Sequence, residues 1–600
     1  MRLTRRELLA TAAVAAAAPA WGRIQQSEGA RLNQFFEEVF SRDVARNAGM
    51  QSSLGTQQGK DRWPDVTDAH AVEGAALVRQ DLAALRRFDL DELNEQDRLS
   101  YHLFEYDGEQ SLTAFRWRGN RYPVCQMRGP QRSIPQTLIN EHLIATRADA
   151  EAYVARLHAV KPFLADVVAG LERQAANGVR PPAFSYPLVI GNCEKLLIGA
   201  PFDASGADSP ILADFRTKLA KLDIPGPARA KLLHDGIAGL RNGFGPGFRL
   251  LIGHLRKGER EVTRNDGVWH LPDGDAYYAD ALQMETTLPT TPAEVHRIGL
   301  EEVGRLHAEM KALMPKLGVS GSLADLFAHA RASADLYYPD TPDGRSAYLE
   351  AMRSKIAAVS ARLGELTNRV PKAEVIVKPV EPWLEASAGT AGYFAPSADG
   401  SRPGILYVNT VTMKNLPIFE LSALSYHEGV PGHHLEKAVT RELGHLPRFR
   451  QYGGYTAFSE GWALYAEQLP LEMGLYSDPW QEFGRLSMEL MRAGRLVVDT
   501  GLHALRWSRE QAIAWLDENI SSNHRDNVTS VQRYIVTPGQ ATAYEMGKLK
   551  LVALRDRAKA KLGSRFDLRR FNDVALGSGP LPLPMLDANV ENWIARGGIS

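Results

Sequence analysis

Cysteine is almost missing from this chain: only Cys125 and Cys193 occur among 600 residues. So few thiols exclude a disulfide-dependent scaffold, and a chain of this length has no need of one. Neither thiol sits in a recognisable reactive signature, so both read as buried and inert, and whether they meet in a bridge stays open. An excess of charge of either sign is missing too. With 70 basic against 71 acidic residues, no global field exists to attract nucleic acid or an anionic membrane surface. Long apolar runs are absent as well: the stretch from Leu8 to Ala18 is too short to span a bilayer, and no later one approaches the roughly 20 residues a membrane helix needs. Flexible linkers are lacking, because the Gly/Pro-rich passages at 177–187 and 243–247 are short and not polar enough. One intertwined globular unit is expected, rather than a string of domains.

The N-terminus does carry a signal. Met1-Arg-Leu-Thr-Arg-Arg6 is a twin-arginine head, followed by an Ala-rich apolar run and Ala18-Pro-Ala20, an A-x-A cleavage pattern. Residues 1–20 therefore read as an export signal, the mature chain beginning near Trp21 and working in the periplasm or outside the cell.

Helical spacing of apolar residues dominates the mature chain, as in Phe35, Phe36, Val39 and Phe40, and again in Val154, Leu157, Val160 and Leu164. Thr291-Pro-Ala-Glu294 opens a helix with its N-cap, first-turn proline and N3 glutamate. His296, inside that helix, reads as a packing or surface residue. Pro479 to Ala504 is a long helix, and Ser508-Arg-Glu-Gln511 is a capping box that starts another. Thr537-Pro-Gly-Gln540 is read in the same way. Strand character is confined to Glu374–Lys378 and Ile405–Val408, separated by a loop over 386–404; these are expected to pair in a small antiparallel sheet. The fold class is mainly α.

Three imidazoles and a carboxylate crowd into His427-Glu-Gly-Val-Pro-Gly-His-His434. In the H-E-x-x-H helix of zinc proteases, two histidines one turn apart hold the metal and the glutamate acts as general base. Here the i+4 position is Pro431, which cannot ligate. His433 at i+6 would point roughly 120° away on a regular helix, and His434 at i+7 would sit roughly 10 Å further along the axis. Two histidines can reach one ion only if the backbone is deformed between them, and Pro431-Gly432 supplies the means. The stretch therefore reads as a zinc-protease helix with an insertion before its second ligand, which is either His433 or His434. Glu460 comes later, far enough downstream for one antiparallel return, and Glu467 lies two turns further along the same helix face.

The run His427–His434, together with Ser459-Glu-Gly-Trp-Ala463, Asp499-Thr-Gly-Leu-His503 and Tyr534–Tyr544, resembles the bacterial family known as domain of unknown function 885. By that resemblance the chain is similar to the gluzincin metallopeptidases. The resemblance implies a large helical two-lobed fold, with an N-terminal lobe over about 21–290, a metal-site lobe over about 291–600, and the small sheet at the cleft. It implies that His427, His433 and Glu460 hold one Zn²⁺, with His434 beside them or facing substrate. Tyr534 is implied as the oxyanion donor, with Tyr544 in reserve; the resemblance places His503 near the metal, as a hydrogen-bond donor to substrate, whereas the residue by itself reads as a buried structural histidine. In that family a histidine often stands where Asn572 stands here.

The expected function is zinc-dependent hydrolysis of peptide bonds in short peptides, with Glu428 as general base and Arg533 as a partner for a substrate's terminal carboxylate. The competing expectation is an exported peptide- or ligand-binding protein that keeps the cleft without turnover, and such a protein has no use for Glu428.

Overall fold

The computed structural model describes residues 27–262, 265–380, 385, 389–397 and 402–599. The segment 1–20, whose sequence reads as an export signal, lies outside the described residues. The chain is mainly helical with one small sheet. No helix among the described residues is long and apolar enough to cross a membrane.

Helices from Glu28–Arg46 to Gly245–Glu261 form the N-terminal part. The helices around the site are, in chain order, α1 (Gly274–Thr286), α2 (Pro292–Leu317), α3 (Ile418–Glu428), α4 (His433–Glu442), α5 (Thr456–Ala466), α6 (Pro479–His503), α7 (His524–Val536) and α8 (Ala543–Leu562). Local chemistry sets several of their ends. Thr291 accepts a hydrogen bond from the Glu294 N–H with Pro292 following at N1, Asp478 accepts from Trp480 N–H ahead of α6, and Asn523 accepts from Asp526 N–H ahead of α7. Each satisfies a backbone donor that the first helical turn leaves unpaired. The capping box expected at Ser508 is formed. The one expected at Thr537 is not: Thr537 closes the C-terminus of α7, its hydroxyl donating to Arg533 O at 2.7 Å. α8 starts only at Ala543, after a short 3₁₀ turn over Gln540–Thr542.

The sheet differs from the expectation in direction. β1 (Val375–Pro379) pairs with β3 (Gly404–Val408) in parallel, Val377 opposite Leu406. A third strand, β2 (Ala391–Phe394), lies in the stretch expected to be loop and pairs antiparallel with β3, Tyr393 opposite Leu406. The order is β1-β3-β2. Because β2 takes the short return beside β3, the Glu374–Lys378 run is left with the opposite edge, and its longer connection allows the parallel direction.

α6 is the axis of the molecule. Every residue from Phe483 to Leu490 and from Arg492 to His503 is buried. It lies against α3 so closely that a Cβ on Gly484 would stand 1.7 Å from Phe419 O. α5 and α8 meet in the same manner, and a Cβ on Gly461 would stand 2.5 Å from the Gly547 Cα. Apolar side chains gather in three large clusters. The first is confined to Val124–Leu255, the second joins Leu103 to residues from Tyr348 to Ile594, and the third joins Trp117 to residues as late as Ala541. Segments far apart in sequence thus share cores.

The α5–α8 contact is backbone on backbone, so it cannot yield as a flexible side chain would. Gly461→Ala is expected to cost about 2–3 kcal/mol through overpacking. Gly253→Ala, in an exposed helix interior with open space at the new Cβ, is expected to add about 0.5–1 kcal/mol. Denaturant titration of both variants beside the parent checks the pair.

Candidate functional site

α3 ends with His427 and Glu428, and α4 begins at His433. Between them the chain folds back on itself: Gly429 N–H donates to Ser425 O at 2.9 Å, Gly432 N–H to Tyr426 O at 2.9 Å, and His434 N–H to Gly429 O at 3.0 Å. A Cβ on Gly432 would stand 2.0 Å from His427 O, so only glycine permits this return. The Trp462 indole N–H from α5 donates to Pro431 O at 3.0 Å and ties the turn down.

This return turns the two rings toward each other, with centroids 5.0 Å apart. Glu460 of α5 completes the group: its carboxylate oxygen lies 3.6 Å from His427 Nε2 and 3.3 Å from His433 Nε2. One ligand atom from each of the three falls within 4.8 Å of the others. Donors about 2 Å from a tetrahedral ion stand roughly 3.3 Å apart, so the spacing suits one small cation. On the far side of His427, Nδ1 is 2.8 Å from Glu467 Oε1. A carboxylate there fixes the ring and aims Nε2 at the cluster. His433 Nδ1 has no hydrogen-bond partner.

Electrostatics agree with a cation at this spot. Burial opposes a charge on His427, but hydrogen bonds with Glu460 and Glu467 outweigh it and push the imidazole up to about 9. Burial would likewise raise Glu460; the facing histidines hold it well below the usual carboxylate range instead. Glu428, the residue after His427, is half-buried, and no described residue hydrogen-bonds or pairs with its carboxylate.

Tyr534 is buried, and its hydroxyl accepts from Arg495 Nε at 3.2 Å. The Arg495 guanidinium lies 4.5 Å over the Tyr544 ring, and its buried Nη1 has no partner. Burial opposes the charge of Arg495, but Tyr534, Tyr544 and Glu460 outweigh that and raise its pKa. Sequence reading missed Arg495. The available signal was the spacing Arg485, Glu489, Arg492, Arg495, Asp499, His503 in an otherwise apolar helix, which keeps these residues within a sector of about 120°.

Other expected site residues are engaged elsewhere. His434 is not a ligand here: Nδ1 accepts from the Tyr393 hydroxyl at 2.8 Å and Nε2 donates to Ala373 O at 3.0 Å. It anchors β2 to α4. His503 is also committed on both nitrogens, to Val268 N at 3.2 Å and Tyr534 O at 3.1 Å, so it holds the backbone at Tyr534 and is closed to substrate. Burial lowers both imidazoles to about 4. Arg533 donates to Gln540 Oε1 at 2.7 Å and to the Tyr544 hydroxyl at 3.3 Å. Asn572 bonds to Leu366 O and the Tyr465 hydroxyl and touches no member of the cluster. Cys125 and Cys193 are both free and buried. Among the described residues a second acidic group, Glu302, Glu489 and Glu545, also crowds together. Arg305, Arg485 and Lys548 already neutralise Glu489, which makes this an ion-pair network.

Two outcomes are expected. For a divalent ion such as Zn²⁺ held by His427, His433 and Glu460, Glu467→Gln is expected to weaken binding about 10- to 100-fold by releasing His427, as measured by competition with a chromophoric chelator. The second concerns Asp499, which accepts from the Tyr278 hydroxyl at 2.6 Å and Gly539 N–H at 3.0 Å, yet is pushed up to about 7 by burial. A raised folded pKa means that the folded state holds the proton more tightly. The resulting stability is present at pH values below the ordinary aspartate pKa and is lost as pH rises through 7. Asp499→Asn keeps an acceptor without the charge. It should therefore remove a loss on the order of 4 kcal/mol between pH 4 and pH 8, read from denaturation of both proteins at the two pH values.

No curated protein matches the sequence. Among solved structures, the fold superposes on a candidate lipoprotein from Colwellia psychrerythraea with a TM-score of 0.89 and 28% identity, over 95% of this chain and 100% of that one. A candidate lipoprotein of unknown function from Shewanella oneidensis gives a TM-score of 0.71 at 17% identity, over 94% and 99% of the two chains, a likeness of fold alone. Residues 49–590 match the family described as bacterial proteins of unknown function, DUF885. That span covers the cluster, the turn that forms it and nearly all of the scaffold around it, and the chain belongs to the DUF885 family.

Proposed function

We propose that the protein is a zinc-dependent hydrolase of peptide bonds in short peptides, built as a gluzincin-like unit whose helical lobes flank a cleft. The observation that carries this reading is the convergence of His427, His433 and Glu460 beside Glu428, a glutamate without a partner among the described residues. Two imidazoles and one carboxylate leave a fourth position open, which is the pattern of catalytic rather than structural zinc. Bound there, Zn²⁺ would supply Lewis acidity toward water and the scissile carbonyl.

The chain's own residues divide the remaining work. Glu428 accepts the proton that the attacking water loses and returns it to the leaving nitrogen. The Tyr534 hydroxyl, accepting from Arg495, has its own proton free to donate to the substrate oxygen as charge grows there. Arg495 adds a fixed positive charge in surroundings that exclude water. Glu467 holds His427 in place. β2 lies at an edge of the sheet and is fastened to α4 through Tyr393 and His434. That edge suits an extended peptide, whose backbone would pair with it. The twin-arginine N-terminus supports an exported setting, as does the description of the structural relatives as candidate lipoproteins.

Metal analysis of the purified protein, paired with Glu428→Gln, tests the reading. The expected result is about one zinc per chain in both proteins, with hydrolysis of short peptides lost by a factor of at least about 10² only in the variant. Absence of any bound divalent metal would sink the proposal. Biological activity that survives Glu428→Gln would point to a ligand-binding protein instead.

A further inference from the structure

A cavity of about 580 Å³ of empty space, partly continuous with solvent, has walls that include Trp117, Arg121, Arg128, Tyr277, Glu285 and Gln540. Two connections join it to the site. The Glu285 carboxyl, on α1, is hydrogen-bonded to Thr456. Thr456 precedes Glu460 on α5 by four residues, about 6 Å along the axis. On the other wall Gln540 accepts from Arg533, which reaches the Tyr544 hydroxyl, and the Tyr544 ring supports Arg495.

The charge in this cavity is unbalanced. Arg121, Arg128 and Arg533 all act on Glu285, the acidic residue of the wall, whose pKa burial raises. Asp280 lies behind the wall, bonded to Trp117 Nε1 and close to Arg116. Neither Arg121 nor Arg128 forms an ion pair with a described carboxylate. Arg128 reaches only Val536 O, at 3.5 Å, and Arg121 faces the Tyr277 hydroxyl. Arginines elsewhere in the chain commonly find such partners, as at Arg42, Arg305 and Arg485. Two guanidiniums line one cavity, each with donors to spare, and guanidinium donors suit an anion with two oxygens.

We infer that this cavity is a subsite for a substrate carboxylate, bound by Arg121 and Arg128. The inference rests on the peptide-hydrolase reading for what the ligand is. It replaces Arg533 as the anion partner: Arg533 is held by Gln540 and Tyr544 and braces the wall.

Binding, rather than turnover, tests it most directly. The zinc-loaded Glu428→Gln protein is titrated calorimetrically with four short peptides of one length: free or amidated at the C-terminus, each with Glu or Gln near that end. At least tenfold tighter binding of carboxylate-bearing peptides is expected. Loss on amidation would assign the terminal carboxylate, and loss on Glu→Gln in the peptide the side chain. Adding Arg121→Gln and Arg128→Gln should bring the ratio close to one, whereas Arg121→Lys with Arg128→Lys should keep part of it and controls for folding. Equal binding of all four peptides would overturn the subsite. Carboxylate-selective binding without cleavage by the parent protein would uphold the subsite and overturn the hydrolase.

Discussion

The hydrogen bond from the Trp462 indole to Pro431 O holds together the parts the site requires. It fastens the return between α3 and α4 to α5, the helix that carries Glu460. The three backbone hydrogen bonds inside the turn shape it, and the indole bond sets its position relative to α5, so that His433 stays turned toward Glu460. Close packing carries the constraint outward. Gly461 seats α5 on α8 and Gly484 seats α6 on α3, each at a distance that admits no Cβ. The ligands are thus placed by backbone contacts, which deform less readily than side-chain contacts.

A buried polar stripe is the second organising feature. α6 carries Arg485, Glu489, Arg492, Arg495, Asp499 and His503 through the interior. Such groups are costly to bury unless they are paired, and most of these are: Glu489 by three cations, Asp499 by a hydroxyl and an N–H, His503 by two backbone groups. Three atoms of the stripe are buried without a partner among the described residues: Arg492 Nε, Arg495 Nη1 and Asp499 Oδ2. Of these residues, Arg495 interacts electrostatically with both Tyr534 and Glu460. Buried donors left open are unusual in a settled core and suit a place where another molecule completes the set.

Helix positions were legible because they depend on neighbours in sequence. The caps at Thr291 and Ser508 needed only three or four adjacent residues. The motif at Thr537 used the same residue types and yet served the end of the preceding helix, since nothing local distinguishes a start from a stop there. Strand direction was not legible. β1 and β3 were visible by composition, but β2, four residues among glycine and alanine, becomes a strand only through its pairing with β3.

Sequence alone determined the chemistry at hand: H-E at 427–428, a proline and glycine where a regular helix would have continued, a second histidine after them, and glutamates at 460 and 467 at a helical spacing. Those are statements about neighbours one or two turns apart. Tertiary structure decided which of two adjacent histidines faces the cluster, because Tyr393 and Ala373 claim both nitrogens of His434 and leave His433 to Glu460. It likewise decided that Arg495 and Tyr534, 39 positions apart, share a hydrogen bond. Arg121 and Arg128 open onto the same cavity as Gln540 for the same reason. Contacts of that range depend on how helices pack, and packing is settled by the summed fit of many side chains, a quantity no short stretch of sequence contains.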